Sequence, residues 1–276
     1  ARGNGFMFGG QNLGIAMGGA GAVALFGLIG FDAALLVICL LLSLNLLFIV
    51  VFIADPEAGR QARGDGIARA FRSFFIELRK GFLGSGPSPL VGLLFSVLPI
   101  GAMALAYAML STILVDFGLD EGGVSAVLAT YTLCAAVGCI VGGFLADRFG
   151  LRPTLFVAYL GTALMALTLA VAIDRNGLSG VGYGLLVAVI ATNGLIFGSA
   201  FGARSAALMG VSSPAVGATM FTTFMAMSNL TVSFANFWQG QVAERFDYAA
   251  VLYIDAALVL IPLCVIPFLK SREESA

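Results

Sequence analysis

The stretch GGFLADRFGLRPTL, Gly142 to Leu155, sets an aspartate, two arginines and a proline between runs that are otherwise apolar for about 20 residues each. Charge is costly inside lipid and scarce in this chain. Of 276 residues, 60% are hydrophobic and 11% are charged, against about a quarter charged in an ordinary soluble domain. A chain of this composition is a membrane protein, and the charged positions of the quoted stretch mark a turn between two membrane spans.

A helix crosses the hydrocarbon core with roughly 20 apolar residues. On that ruler the chain divides into eight spans, at about 8–28, 33–53, 90–112, 124–145, 154–173, 181–203, 215–238 and 249–269. The runs are continuous and lack the alternation of a barrel strand, so the expected class is an all-α membrane protein. Counting Lys and Arg on alternate loops puts 12 of the 14 on one side, among them Arg2, six in the 54–89 loop, Arg148, Arg152 and Arg204. By the positive-inside rule that side is cytoplasmic, with both termini of the chain inside.

Cys39, Cys134, Cys139 and Cys264 all fall within spans and read as small packing residues. Histidine is absent, which removes the commonest catalytic base and metal ligand. The chain opens Ala-Arg-Gly-Asn-Gly, without an initiator Met and with a span almost at once, so it reads as a piece of a longer protein. Three glycines of the first span, Gly10, Gly14 and Gly18, repeat every fourth residue and predict close helix packing.

The longest polar segment, 54–89, divides the chain. Within it Ile67, Phe71, Phe74, Phe75 and Leu78 recur at helical spacing while Arg69, Arg72, Glu77, Arg79 and Lys80 fill the other arc. This predicts an amphipathic helix, lying either in the headgroup layer or against the protein's own loops. Six spans with short loops follow Pro89. Two spans, a linker and six spans equal the last two-thirds of a six-plus-six transporter, with the first four spans missing.

The run Gly143-Phe144-Leu145-Ala146-Asp147-Arg148-Phe149-Gly150-Leu151-Arg152 resembles the G-x-L-A-D-R-x-G-R-[RK] loop of the major facilitator superfamily. In that family the loop joins the second and third helices of each six-helix half. Here it joins the second and third of the six spans after Pro89. Leu151 departs from the pattern, where the family has a basic residue. The resemblance implies a helical bundle with 1–53 as a remnant of the N-terminal half, 54–89 as the linker, 90–270 as the C-terminal half and 271–276 as a cytoplasmic tail. It implies a conformational latch at Gly143, Asp147, Arg148, Gly150 and Arg152. Asp147 suits the positive N-terminal end of a neighbouring helix, and Arg148 and Arg152 suit acidic groups or helix C-termini. The bland alternative is a charged turn that keeps a loop in water.

A narrower resemblance is to the muropeptide permease and acetyl-coenzyme A transporter branch. Its eleventh helix carries A-T-x-[FY]-x-x-[FL]-x-x-x-x-N, matched by Ala218, Thr219, Phe221, Phe224 and Asn229. The opening ARGNGFMFGGQNLG resembles that branch's loop before the fifth helix. A muropeptide or a coenzyme A thioester as substrate, and a bacterial plasma membrane as the setting, follow from this branch alone.

Polar residues on one helical face point to a water-lined cavity. In the seventh span Thr219, Thr222, Asn229, Ser233 and Asn236 fall within an arc of roughly 100°. In the third, Ser96, Tyr107 and Ser111 share a face within roughly 60°. Asn193 adds a buried amide in the sixth. Each of these could instead tie two helices together. Pro99 should bend the third span and free carbonyls toward the cavity. Arg204 reads as a headgroup anchor or an attractor of anions. Asp255 is a candidate proton carrier, or an acid that snorkels to the outer interface.

The expected function is secondary active transport of a small organic solute by alternating access between two bundles. A channel-like pore is the alternative within transport, but no selectivity filter or ring of charges is visible. A membrane enzyme is the alternative from another class. Without His, or an acid or Cys cluster beside a nucleophile, it has little to work with. The expected partners are a small-molecule substrate, the lipid bilayer and, through Asp255, protons. No cofactor, metal or nucleic acid is expected, and the protein is expected to be a monomer.

Overall fold

The computed structural model describes residues 1–16, 18, 25, 28–52, 72, 75–76, 79–84, 87–213 and 216–269. The regular structure of these residues is helical: α1 (Arg2–Ala16), α2 (Phe31–Phe52), α3 (Ser88–Ser96), α4 (Ala108–Asp116), α5 (Glu121–Phe149), α6 (Leu151–Asn176), α7 (Tyr183–Gly210), α8 (Gly217–Arg245), α9 (Tyr248–Leu258) and α10 (Leu260–Val265). Single 3₁₀ turns follow at Leu178–Gly180 and Ile266–Phe268. Most of the amphipathic stretch expected in 54–89 lies outside the described residues.

Five described segments are long and apolar enough to cross a membrane: α2, α5, α6, α7 and Tyr248–Phe268. Helix α8 is as long as α5, 29 residues, but its hydroxyls and amides hold its mean hydropathy below theirs. The expected third span is not one helix. It is α3 and α4, nine residues each, separated by the non-helical stretch 97–107. Pro99 has no N–H, and Gly101 takes a φ of +67 that other residues avoid, so a helix cannot run through.

Side-chain caps set two of the helix starts. Asp120 accepts from the Gly123 N–H at 2.8 Å and Asp247 from the Ala250 N–H at 2.7 Å. Gly150, at φ +93, makes the sharp turn from α5 into α6. Asp116 and Tyr248 share a short hydrogen bond that joins the end of α4 to the start of α9. That end of the bundle lies opposite the Asp147 end.

Packing is tightest between α5 and α7. A Cβ at Gly138 would lie 2.1 Å from the Leu195 carbonyl oxygen, and one at Gly198 would lie 2.1 Å from that of Ala135. Gly142, Gly194 and Gly202 continue the same seam, and Ser199 donates across it to the Gly138 carbonyl at 2.9 Å. Helix α1 rests on α5 through Gly5 and Gly9, with Phe8 edge-on to Phe201 of α7 at 4.8 Å. Two expectations are corrected here. The opening residues read as a loop are helical, because contact with α5 outweighs the poor helix propensity of their glycines. The stripe Gly10, Gly14, Gly18 faces open space, and Gly5 with Gly9, on the adjoining face, makes the contact instead.

Of the cysteines, Cys139 is buried in this seam, whereas Cys39 and Cys264 are exposed on outer faces. Only Ala34 is buried along α2, whose remaining described side chains face outward or lie partly covered.

Candidate functional site

A cavity of about 560 Å³ opens where α1 meets the later helices. Gln11, Asn12 and Ile15 of α1 form one wall. The opposite walls come from Tyr107 and Ser111 at the start of α4, Tyr131 and Thr132 of α5, Phe197 and Phe201 of α7, and Asn229 of α8. Aromatic faces and neutral hydroxyls and amides thus line the space, and none of its lining residues carries a formal charge. Tyr107 packs edge-on to Phe197 at 5.8 Å, which fixes its ring at the wall.

At the Asp147 end the same two surfaces are tied together. The Asp147 carboxylate accepts from Nε of Arg2 at 2.7 Å and from the Arg2 backbone N–H at 3.2 Å, at the first turn of α1. Gly143 permits it: a Cβ there would sit 3.2 Å from the Arg2 Cα. Arg152 donates to the Leu269 carbonyl at 2.7 Å, at the C-terminal end of the last helical turn. Arg148 stacks on the Phe149 ring at 5.3 Å and points to the surface. Asn12, on the cavity, is about 15 Å of helix from Arg2, so the tie and the cavity lie apart along α1.

The sequence candidates do not all come together. Tyr107, Ser111 and Asn229 meet at the cavity. Thr222 and Ser233 are exposed on the same side of α8, with hydroxyls turned back to the Ala218 and Asn229 carbonyls. Asn236 is partly buried further along. Ser96 and Asn193 are fully buried inside the bundle. The Ser96 hydroxyl donates to the Leu93 carbonyl, and the Asn193 amide donates to the Leu105 carbonyl at 3.3 Å.

Two charged residues lie elsewhere than expected. Arg204 is 2% exposed, within the bundle instead of at the headgroups. It donates to the carbonyls of Phe95, Ser96, Leu98 and Pro99 at 2.8–3.4 Å, to the Tyr159 hydroxyl at 3.1 Å and to the Ser228 hydroxyl at 3.2 Å. The carbonyls freed around Pro99 therefore turn to Arg204 and not to the cavity. Asp255 is 1% exposed, so it does not snorkel. It accepts from the Ala104 N–H at 2.7 Å and from Gln239 at 3.3 Å.

Sequence reading missed the buried polar face of α8. Ser228 and Thr231 both donate to the Ser96 carbonyl, and Gln239 reaches Asp255. These positions lie between the members of the exposed stripe, so a single helix had two polar faces and only one was identified.

A family model described as Major Facilitator Superfamily matches residues 90–276. No curated protein matches the chain.

Proposed function

The chain belongs to the Major Facilitator Superfamily, a family of secondary transporters, and from that premise we propose that it carries a small organic solute across the bilayer by alternating access. The observation that carries this reading is the cavity between α1 and the later helices, set about 15 Å of helix away from the Arg2–Asp147 tie. In this reading α1 and α2 belong to the N-terminal bundle and the helices from α3 onward form the C-terminal one. The Asp147 end is cytoplasmic, on the basic side of the chain, and the cavity opens toward the other.

Of the two substrates implied by the branch resemblance, a muropeptide suits this wall better. Tyr107, Tyr131, Phe197 and Phe201 offer flat apolar faces for sugar rings, and Gln11, Asn12, Thr132 and Asn229 offer donors and acceptors for hydroxyls and amides. Asp255 supplies the carboxylate for proton coupling.

Uptake by the full-length protein in proteoliposomes tests the reading, with and without a pH gradient, across sugars, peptides and nucleotide-linked anions. Accumulation of one solute against its gradient is the expected result. Dissipation only, at any gradient, would favour a pore, and chemical conversion without translocation would favour an enzyme.

Asn229→Ala should raise KM about tenfold while membrane expression and Tm stay near wild type. The amide lies on the cavity wall, and its loss removes hydrogen bonds to solute worth about 1 kcal/mol or more. A lower Tm with unchanged KM would make Asn229 a helix tie instead.

Asp147→Asn should weaken the tie at that end, because the ion pair with Arg2 is lost and only a hydrogen bond from the guanidinium to a neutral amide oxygen remains. Single cysteines placed along α1 near Arg2 should label faster from the Asp147 side. Unchanged labelling with unchanged transport would leave Asp147 as part of a solvated turn.

A further inference from the structure

The broken helix changes which face the cavity receives. Tyr107 lies 11 residues beyond Ser96, so in one continuous helix the two would point within about 20° of each other. Ser96 is fully buried against α7 and α8. An unbroken helix would therefore turn Tyr107 into the bundle. Because residues 97–107 are not helical, α4 starts with a new phase, and Tyr107 and Ser111 reach the cavity wall.

Such a break leaves backbone groups without helical partners, which is tolerated in a membrane only where other groups take them. Here each end is held by side chains from different helices. Thr162 of α6 accepts from the Ala102 N–H at 3.0 Å, Asp255 of α9 from that of Ala104, and Asn193 of α7 donates to Leu105. At the other end Arg204 of α7 takes the carbonyls of Phe95, Ser96, Leu98 and Pro99, and Ser228 and Thr231 of α8 share that of Ser96. Pro99 cannot donate to the Phe95 carbonyl, and that carbonyl receives the shortest of the Arg204 bonds, 2.8 Å. The guanidinium also lies over the Phe95 ring at 4.8 Å. A planar fork can serve several diverging carbonyls at once, which a lysine ammonium on a flexible stem does less well.

We propose that Arg204 is a positioning residue for the transport cavity: by holding the end of α3 and the carbonyls up to Pro99, it fixes the course of the stretch that Pro99 and Gly101 break, and so keeps Tyr107 turned to the solute. The proposal rests on the transport reading, in which this cavity takes the solute. Arg204 does not line the cavity, and its bonds run into the bundle, so it acts through the stretch it holds and not on the solute.

The test reads the orientation of position 107 directly. In protein with the native cysteines replaced, Tyr107→Cys and, separately, Thr132→Cys are labelled with a membrane-impermeant maleimide. Thr132 lines the same cavity from α5, and its hydroxyl bonds the Leu128 carbonyl of its own helix. Adding Arg204→Lys should slow labelling at position 107 at least tenfold and leave position 132 unchanged. Tyr159→Phe, which removes one acceptor but keeps the ring stacked on Phe95, should slow position 107 by a smaller factor with Tm near wild type. In uptake, Tyr159→Phe should raise KM without lowering kcat, and the rise should vanish when Tyr107→Phe is already present. Equal labelling of position 107 with and without the changes, or a parallel fall at positions 107 and 132, would overturn the proposal. Because labelling needs no solute, failure of uptake in the wild-type protein would count against the transport reading alone.

Discussion

Gly198→Leu is expected to prevent recovery of a folded protein. At this position α7 approaches α5 so closely that even a methyl group would lie 2.1 Å from the Ala135 carbonyl oxygen and 2.8 Å from its carbon. The obstacle is backbone, which cannot rotate aside as a side chain end can. Gly138 on the facing helix is equally tight against Leu195, so relief at one point compresses another. In lipid there is no hydrophobic drive to press two helices together, and close contact is what holds the seam. Gly198→Ala should cost about 3 kcal/mol, at the upper end of overpacking effects. For a protein of this size that lowers Tm by roughly 5–10 °C. Size-exclusion profiles after heating in detergent measure both variants. Gly14→Ala is the control, since nothing lies within 4 Å of its Cβ, and it should melt as wild type does. A wild-type Tm for Gly198→Ala would mean that the two helices are further apart than described here.

The same seam shows what the sequence could and could not reveal. Spacing of glycines at every fourth residue is present both at Gly10, Gly14, Gly18 and at Gly194, Gly198, Gly202. Periodicity says that a face is smooth, but not which helix will meet it, and only the second set is in contact. The turn at Gly150, just after Asp147, was legible because charge, glycine and apolar runs coincide in one short stretch. The partner of Asp147, Arg2, was not, since nothing local links positions 145 residues apart.

Arg204 illustrates the opposite limit. Near the end of an apolar run, an arginine is ordinarily a headgroup anchor. Its burial depends on a helix break in another segment, and Pro99 alone suggested only a bend. With that break unrecognised, Ser96, Tyr107 and Ser111 formed a single apparent face. The structure puts Ser96 in the bundle and the other two at the cavity.

Asp255→Asn should abolish accumulation driven by a pH gradient, down to the level of passive equilibration, while solute exchange in the absence of a gradient continues. The variant is chosen to keep the fold. The asparagine oxygen can still accept from the Ala104 N–H, and Gln239 can reverse its amide to accept from the new NH₂ group. What is lost is the titratable carboxylate that the proposed coupling requires. Asp255→Ala is a different experiment: it leaves the Ala104 N–H buried without an acceptor, at about 1–3 kcal/mol, and should lower Tm before it alters kinetics. The position of Asp255 explains how a proton would be felt by the solute. Its carboxylate holds the unwound stretch at Ala104, three residues before Tyr107, so a change in its charge changes what anchors the cavity wall. A single acid serving both as anchor and as proton carrier requires the two variants to differ. If Asp255→Asn accumulates solute as well as wild type, Asp255 is an anchor only. If it loses accumulation and exchange together with Tm, the carboxylate is needed for the fold and the coupling role has no support.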